Sequence, residues 1–267
     1  MVITEFLKPK SLEEAYSIYN SEGKNQIVGG GAWLKLTLKQ ADKLISLDDL
    51  GLNSIIQTDK SVEIGAMSTL RSIEISEEVK SLYEGILSQA CHKIMGINVR
   101  NLATIGGSIM GRLSFSDLYP ALLVMKAKLV FYKSGEISFS EFLNNPKRDK
   151  DILLKVVIDK EEAKGFYKKV ALTALDFAVM NMAISKTKEG FQISIGATPS
   201  MAALAIDTIK YLNGCEAITE VEIKKANEIL LNEIHISDNI RGSKEYRTEL
   251  VKTYLARGIR QVTKNVG

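Results

Sequence analysis

The first regular pattern of apolar residues lies at residues 11–20 and predicts an amphipathic helix. Its apolar and aromatic side chains recur at the spacing of one helix face: Leu12, Ala15, Tyr16 and Tyr19. Ser11 is the predicted N-cap residue, and Glu14 is predicted to complete a capping box. A short apolar run at residues 26–28 predicts a strand that leads directly into three glycines.

Short apolar runs continue up to residue 158. They predict strands at residues 43–47, 62–66, 127–133 and 152–158. Helical spacing predicts helices at residues 68–75, 77–94 and 119–126. Between the last two helices lies a glycine-rich loop, residues 98–117, which carries most of the sequence's chemical interest.

From Gly165 the pattern changes, and strands and helices no longer alternate. Three strands are predicted first, at residues 166–172, 181–186 and 191–197. Three helices are predicted after them, at about residues 203–212, 220–232 and 243–261. Strands and helices segregated in this way indicate a separate α+β unit, so we expect a domain boundary at residues 160–164.

The amino-acid composition narrows the classes of protein to which the chain could belong. Of the 267 residues, 45% are apolar and 25% charged, which is typical of a folded globular chain. The formal net charge of +3 argues against a dedicated nucleic-acid binder, and no apolar run is long enough to span a bilayer. No signal peptide is visible, and the two distant cysteines fit a reducing compartment, so a cytoplasmic location is expected.

Cysteine and histidine are scarce: the chain has only Cys91, Cys215, His92 and His235. An iron–sulfur cluster usually needs four thiolates and a structural zinc site four Cys or His ligands, so we expect these residues alone to build neither, and no metal on this chain. Cys91 and His92 are adjacent and could form a nucleophile–base pair, although sequence neighbours rarely face each other on a helix. The alternative is a core thiol beside a surface imidazole.

Two glycine clusters are candidates for binding an anion. One is residues 28–34 (VGGGAWL), directly after a predicted strand, and the other is residues 104–108 (TIGGS), followed by Gly111 and Asp117. Glycine allows a ligand to approach the backbone N–H groups, which suits a phosphate. Neither cluster matches a dinucleotide fingerprint or a P-loop by spacing, because Leu34 and Arg112 stand where those motifs need glycine and lysine. Each cluster could instead be an ordinary turn.

Residues 98–108 (NVRNLATIGGS), with DLYP at 117–120, resemble the signature loop of the FAD-binding subunits of molybdenum hydroxylases. This is the medium-subunit family of xanthine dehydrogenase and carbon monoxide dehydrogenase. Residues 28–32 resemble its first flavin loop, and residues 165–169 with 176–178 resemble the start of its C-terminal domain. The resemblance implies an α+β fold: a two-part α/β FAD-binding domain, then a three-stranded antiparallel sheet with three helices. The expected domains are 1–162, with parts of about 1–55 and 56–162, and 163–267.

The resemblance also implies residues that bind FAD. The backbone of the first loop would hold the diphosphate: Gly29, Gly30, Gly31, Ala32, Trp33 and Leu34. The second loop would contact phosphate or ribityl oxygens: Thr104, Gly107 and Ser108. Relatives have a polar residue and then Ser or Thr where this chain has Gly31 and Ala32, so only backbone contacts are expected there.

Four further residues are assigned by the same resemblance. Asp117 would accept hydrogen bonds from ribose hydroxyls; capping of the following helix is the alternative. Ile94 falls where relatives often carry an aromatic residue, and Leu154 where an apolar residue packs near the flavin. Lys168 aligns with a lysine beside the flavin ring, but could be a solvated lysine. Trp33 is expected to pack against protein rather than stack on the flavin.

The function implied is that of an oxidoreductase flavoprotein subunit that relays electrons and holds no catalytic acid, base or nucleophile. Iron–sulfur clusters would lie on a small partner subunit and the molybdenum cofactor on a large one, and a higher-order assembly such as a dimer of heterotrimers is expected. Electrons would pass from the clusters through FAD to an external acceptor, in an aldehyde or carbon monoxide dehydrogenase-like complex. The alternatives are a flavin-free scaffold that bridges the partner chains and a free-standing flavoenzyme.

Overall fold

The computed structural model describes residues 2–34, 39–146 and 149–264. Its N-terminal part is a three-stranded parallel sheet in the order β1-β3-β2. Its strands are β1 (Val2–Leu7), β2 (Gln26–Val28) and β3 (Gln40–Ser46), and its helix is α1 (Leu12–Asn20). Ser11 caps α1 as predicted, its Oγ accepting from Glu14 N at 3.1 Å. The Glu14 carboxylate accepts from Lys10 N instead of the Ser11 N–H.

The second part contains a five-stranded antiparallel sheet in the order β4-β5-β8-β6-β7. Its strands are β4 (Ile55–Gln57), β5 (Ser61–Gly65), β6 (Lys128–Phe131), β7 (Gly135–Ser138) and β8 (Leu153–Asp159). Its helices are α2 (Leu70–Ile75), α3 (Glu77–Lys80), α4 (Ile86–His92), α5 (Ile97–Leu102), α6 (Ile105–Met110), α7 (Leu118–Val124) and α8 (Phe139–Asn144). Short 3-10 turns lie at Asp48–Leu50 and Tyr83–Gly85.

The single helix predicted at residues 77–94 is wrong, because the chain breaks in its middle. Tyr83, Glu84 and Gly85 have φ values of 48°, 54° and 75°, which no right-handed helix allows. The break turns α4 away from α3 and lets it pack against α2 and α7. Leu87 and Ala90 of α4 are then fully buried, as the predicted apolar face requires.

The C-terminal part is an antiparallel sheet covered by three helices, which confirms the predicted fold class. The sheet has four strands, in the order β12-β11-β10-β9: β9 (Lys164–Val170), β10 (Met180–Thr187), β11 (Gly190–Gly196) and β12 (Ala203–Leu204). The helices are α9 (Ile206–Asn213), α10 (Glu220–Glu233) and α11 (Lys244–Thr263). The fourth strand was missed because Ala203 and Leu204 pair with Ile195 and Ser194 instead of opening the helix.

The two faces of the C-terminal sheet bury different partners. One face packs against α11, where Ile184, Leu255 and Ile259 belong to one apolar core. The other face contributes Tyr167 and Ala183 to the core of the second part. Because both faces are covered, the C-terminal sheet is fixed against α7, close to the glycine-rich loop. We propose a domain boundary at residues 160–164, between β8 and β9.

Arg247 of α11 is fully buried and holds the loop at residues 237–242. Its guanidinium donates to the carbonyl oxygens of Val179 at 3.0 Å, Ser237 at 2.8 Å and Gly242. It also donates to Asn239 Oδ1 at 2.5 Å. A guanidinium can satisfy several carbonyls at once because its N–H donors spread in a fixed plane.

We expect Arg247→Met to lower the free energy of unfolding by about 3 kcal/mol, because the buried carbonyl of Val179 and the part-buried carbonyls of Ser237 and Gly242 lose their donor. Arg260→Met, on the same helix, is the matched control. Arg260 and its partner Glu220 are 46% and 70% exposed, so the loss of Arg260 should lower the free energy of unfolding much less than the loss of Arg247. Urea unfolding of both variants checks this, and equal effects would contradict the role given to Arg247.

Candidate cofactor site

The two glycine clusters, separated by some 70 positions in the sequence, meet in one cleft. The first follows the carboxyl end of β2, and the second begins α6. The cleft has a volume of about 380 Å³ and lies between the parallel sheet and the second part. Its lining includes nine of the predicted residues: Gly29, Gly30, Gly31, Ala32, Trp33, Leu34, Thr104, Gly107 and Ser108.

The glycines allow the two loops to approach more closely than side chains would permit. A Cβ atom at Gly30 would overlap with the carbonyl oxygen of Leu102, and one at Gly29 would overlap with Thr104 Oγ1. Gly31 has a φ of +69°, a conformation that glycine adopts without strain. Gly29 and Gly30 are therefore required by packing between the loops, while they also expose the backbone to the cleft.

The first loop provides free hydrogen-bond donors. Within the described residues, the backbone N–H groups of Gly30, Gly31 and Ala32 have no protein acceptor. Successive free N–H groups of this kind form a concave site for an anion. These N–H donors fit a diphosphate, and so does the space that the glycines leave open by having no Cβ atom.

The second loop has fewer donors to offer than the sequence suggested. Gly107 N donates to Thr104 Oγ1 at 3.1 Å, and Gly106 N donates to the carbonyl of Ala66 at 2.8 Å. Ser108 Oγ donates to the carbonyl of Thr104 at 2.8 Å. A ligand here would therefore be contacted by the Thr104 hydroxyl hydrogen and the Ser108 oxygen, with Gly107 supplying space.

The remaining apolar predictions fall at different distances from this cleft. Trp33 lines it and also packs against Phe177, with ring centroids 5.6 Å apart. Ile94 lines a small adjoining pocket together with Trp33 and Asp117. Leu154 is half-buried and packs against the apolar core beneath the parallel sheet, while its neighbours Ile152 and Leu153 line the cleft.

Asp117 stands where the C-terminal sheet meets the glycine-rich loop. Its side chain accepts from Lys169 Nζ at 2.8 Å and from Asn181 Nδ2 at 3.1 Å, and its carbonyl accepts from the Tyr167 hydroxyl at 3.1 Å. Burial raises the pKa of Asp117, and the bonds from Lys169 and Asn181 oppose that rise. The side chain makes no capping bond to the following helix, so the helix-cap alternative is wrong.

Lys168 and Lys169 project from opposite faces of β9. Lys168 Nζ lies 5.0 Å from the centre of the Tyr254 ring, whereas Lys169 joins Tyr167 on the face toward Asp117. Sequence reasoning missed Lys169. Strand alternation could have identified it. Residues two apart lie on the same face of a strand, so Lys169 shares the face of the buried Tyr167 and Lys168 does not.

A buried cluster supports the loop that carries Ile94. Arg100 donates to the carbonyls of Ile94 at 3.1 Å and Met95 at 2.8 Å, and pairs with Glu74 at 2.8 Å. Burial alone would raise the pKa of Glu74, but hydrogen bonds from His92 and arginines hold it at about 2. No sequence signal identified this cluster, because its members are distant in the chain.

The nucleophile–base interpretation of Cys91 and His92 is wrong. Cys91 is fully buried, and burial raises the pKa of its thiol far above the usual range. His92 Nδ1 is instead hydrogen-bonded to Glu74 Oε1 at 2.7 Å. Within residues 2–34, 39–146 and 149–264, no cluster of three metal-ligating side chains occurs, and no helix is long and apolar enough to cross a membrane.

The fold and its cleft define a two-domain flavoprotein subunit that binds FAD. The family described as the FAD-binding domain in molybdopterin dehydrogenase matches residues 3–160, and the carbon monoxide dehydrogenase flavoprotein C-terminal domain matches residues 165–262. The chain belongs to this family, the FAD-binding medium subunits of molybdenum hydroxylases.

Individual relatives match over nearly the full chain. An uncharacterised protein of Escherichia coli K12, YgfM, is 27% identical, covering 96% of this chain and 95% of its own. The glyceraldehyde dehydrogenase medium chain of Sulfolobus acidocaldarius is 24% identical, covering 96% and 97%. A structure of carbon monoxide dehydrogenase from Hydrogenophaga pseudoflava has the same fold, with a TM-score of 0.87, 21% identity and coverage of 97% and 96%.

We expect Lys169→Met to lower the free energy of unfolding by about 3–5 kcal/mol, because it leaves the buried Asp117 carboxylate without its cation. Lys168→Met is the control on the same strand and should cost no more than about 1 kcal/mol. The Lys169 variant should lose more stability as the pH rises above about 4, because the unfolded chain then ionises Asp117 more readily than the folded one. Urea unfolding across pH checks both, and similar curves for the two variants would refute the assignment.

Proposed function

We propose that this chain is the electron-relay subunit of a molybdenum hydroxylase complex, in an aldehyde or carbon monoxide dehydrogenase-like assembly. Electrons from iron–sulfur clusters on a small partner subunit would pass through FAD to an external acceptor. Substrate chemistry would take place at the molybdenum cofactor of a large partner subunit. The proposal is supported by the family and by relatives such as the glyceraldehyde dehydrogenase medium chain of Sulfolobus acidocaldarius.

The observation that carries the proposal is the convergence of the two glycine loops on one cleft. The free N–H groups of residues 30–32 would bind the diphosphate, and the Thr104 hydroxyl would donate to one of its oxygens. Asp117 keeps unused lone pairs with which to accept a ribose hydroxyl, while Lys169 and Asn181 fix its orientation. Bound FAD would supply the redox chemistry, and these residues would supply binding and position.

The composition of the chain supports a division of labour between subunits. Two cysteines are too few for an iron–sulfur cluster, which usually needs four thiolate ligands. Cys91 is also buried in the core of the second part, and Cys215 lies at the end of α9 in the C-terminal part. Clusters that deliver electrons to this subunit would therefore be held by other chains.

The flavin-free scaffold remains the second candidate. It is favoured by Gly31 and Ala32, which lack the hydroxyl that relatives place in the first loop. The two proposals differ in the use of the cleft: a relay subunit needs it to hold FAD, whereas a scaffold needs only its outer surfaces.

We expect Gly107→Phe to abolish FAD binding, because the new side chain would enter the cleft. A Cβ atom at Gly107 would meet only Thr104 Oγ1, at 3.1 Å, so we expect the fold to accept the change after a small shift of the Thr104 side chain. The visible absorbance of the purified full chain reports bound flavin, and thermal unfolding and partner co-purification report the fold and assembly.

Gly214→Phe is the control, since Gly214 is exposed in the C-terminal part and its Cβ would find ordinary contacts at 3.5 Å. It should retain FAD. A wild-type chain that takes up no FAD on reconstitution, but still assembles with its partners, would refute the relay and favour the scaffold.

A further inference from the structure

The loop at residues 93–95 lies between α4 and α5 and forms part of the wall of the small pocket that adjoins the cleft. Ile94 and Met95 line this pocket, and Trp33 and Ser108 line both the pocket and the cleft. A ligand bound at the glycines can therefore extend into the pocket and reach the loop. The pocket volume is about 40 Å³, so a small displacement of the loop would change how many ligand atoms it admits.

The loop has a backbone conformation that it would not adopt without outside support. Met95 has a φ of +44°, in the left-handed region that residues other than glycine rarely occupy. Such a conformation persists only where surrounding contacts fix it. The contacts that fix this loop are therefore part of what shapes the pocket.

Two cations with buried side chains bind three consecutive carbonyl groups of the loop. Lys169 Nζ donates to the carbonyl of Lys93 at 2.9 Å. Arg100 Nη1 donates to the carbonyls of Ile94 at 3.1 Å and Met95 at 2.8 Å. The side chains of Arg100 and Lys169 are 9% and 5% exposed, so both charges are largely withdrawn from water, which strengthens these bonds.

Each of these cations is itself held by a buried carboxylate. Arg100 Nε donates to Glu74 Oε2 at 2.8 Å, and Lys169 Nζ donates to Asp117 Oδ2 at 2.8 Å. Glu74 belongs to α2, and Asp117 directly precedes α7. The loop is thus tied to α2 through Arg100 and to the start of α7 through Lys169.

We propose that Arg100 is a positioning residue for the cofactor, which fixes the loop at residues 93–95 so that Ile94 forms a rigid wall against bound FAD. This role rests on the proposed function, since it requires FAD in the cleft. Lys169 supports the loop from the other side but also holds Asp117, so Arg100 is the residue whose effect on the loop can be isolated.

The shared carboxylate provides a matched control. Arg71 Nη1 lies 3.0 Å from Glu74 Oε1, and among the described residues no hydrogen bond joins Arg71 to the loop. Arg71→Met removes a cation from Glu74 and leaves the loop carbonyls with their donor. Arg100→Met removes a cation from the same carboxylate and also takes the donor from the loop.

The first test measures FAD binding by the full chain and the visible absorption spectrum of the bound flavin. We expect Arg100→Met to weaken FAD binding about tenfold or more, because Ile94 is no longer fixed before the cofactor arrives. The flavin absorption bands should also shift, because the surroundings of the ring change. Arg71→Met should keep the wild-type spectrum and bind FAD within about twofold of wild type. Equal losses in the two variants would overturn the proposal.

Arg100→Lys separates position from charge, and it decides the question if the Met variant does not fold. An ammonium group keeps a cation beside Glu74 but lacks the planar fork with which Arg100 reaches the carboxylate and two carbonyls at once. We expect this variant to fold and to bind FAD at least about threefold more weakly than wild type. Wild-type affinity and spectrum in the Lys variant would show that charge alone suffices, which contradicts the positioning role.

Hydrogen exchange of residues 93–99 in the cofactor-free chain measures the loop itself. Exchange should be faster in Arg100→Met than in Arg71→Met, because only the first variant frees the loop carbonyls. Similar exchange in the two variants would refute the support that Arg100 gives to the loop. Faster exchange with unchanged FAD affinity and spectrum would refute its connection to the cofactor.

Failure of this role and failure of the proposed function give different results. A wild-type chain that takes up no FAD contradicts the relay, and with it any role of Arg100 toward FAD. A wild-type chain that binds FAD while Arg100→Met and Arg100→Lys bind it equally well leaves the relay intact and refutes the positioning role alone.

Discussion

The close contact between the backbones of the two glycine loops determines how the rest of the site is built. Gly29 and Gly30 lie against residues 102–104 without room for a Cβ atom. This contact joins the parallel sheet to the second part and, by pressing the loops together, leaves the N–H groups of residues 30–32 facing the cleft. Packing and anion binding thus depend on the same glycines, and a substitution at Gly30 would damage both.

The C-terminal part completes this arrangement from the other side. Asp117 follows α6, the helix that the second glycine cluster begins, and is held by Lys169, Asn181 and Tyr167, all from the C-terminal sheet. An unpaired carboxylate at this depth would be costly, so the ion pair fixes the sheet at one distance from the loop. The position of the loop is therefore set by contacts on both of its sides, which is the preorganisation that cofactor binding needs.

Sequence periodicity predicted the elements whose burial follows a simple pattern. The helix at residues 11–20 and the segregated strands and helices after Gly165 are confirmed, because each is a continuous run with a regular apolar pattern. The break at residues 83–85 and the strand at Ala203–Leu204 were missed, since left-handed backbone at Tyr83 and a two-residue edge pairing leave no periodic signal. The paired Lys169 was missed because ion pairs between distant residues cannot be read from spacing.

The glycines show why a motif alone could not settle the chemistry of the site. A cluster such as GGG at 29–31 can arise from packing, from a left-handed turn or from ligand access, and here the three causes fall on neighbouring residues. Gly30 has no room for a side chain, because a Cβ atom would overlap with the carbonyl oxygen of Leu102. Gly31 is a glycine because its φ is +69°, and neither reason applies to Gly107. A Cβ atom at Gly107 would meet only the Thr104 hydroxyl oxygen, at 3.1 Å, and its φ is not left-handed, so Gly107 is the position in the two clusters at which ligand access separates most cleanly from packing.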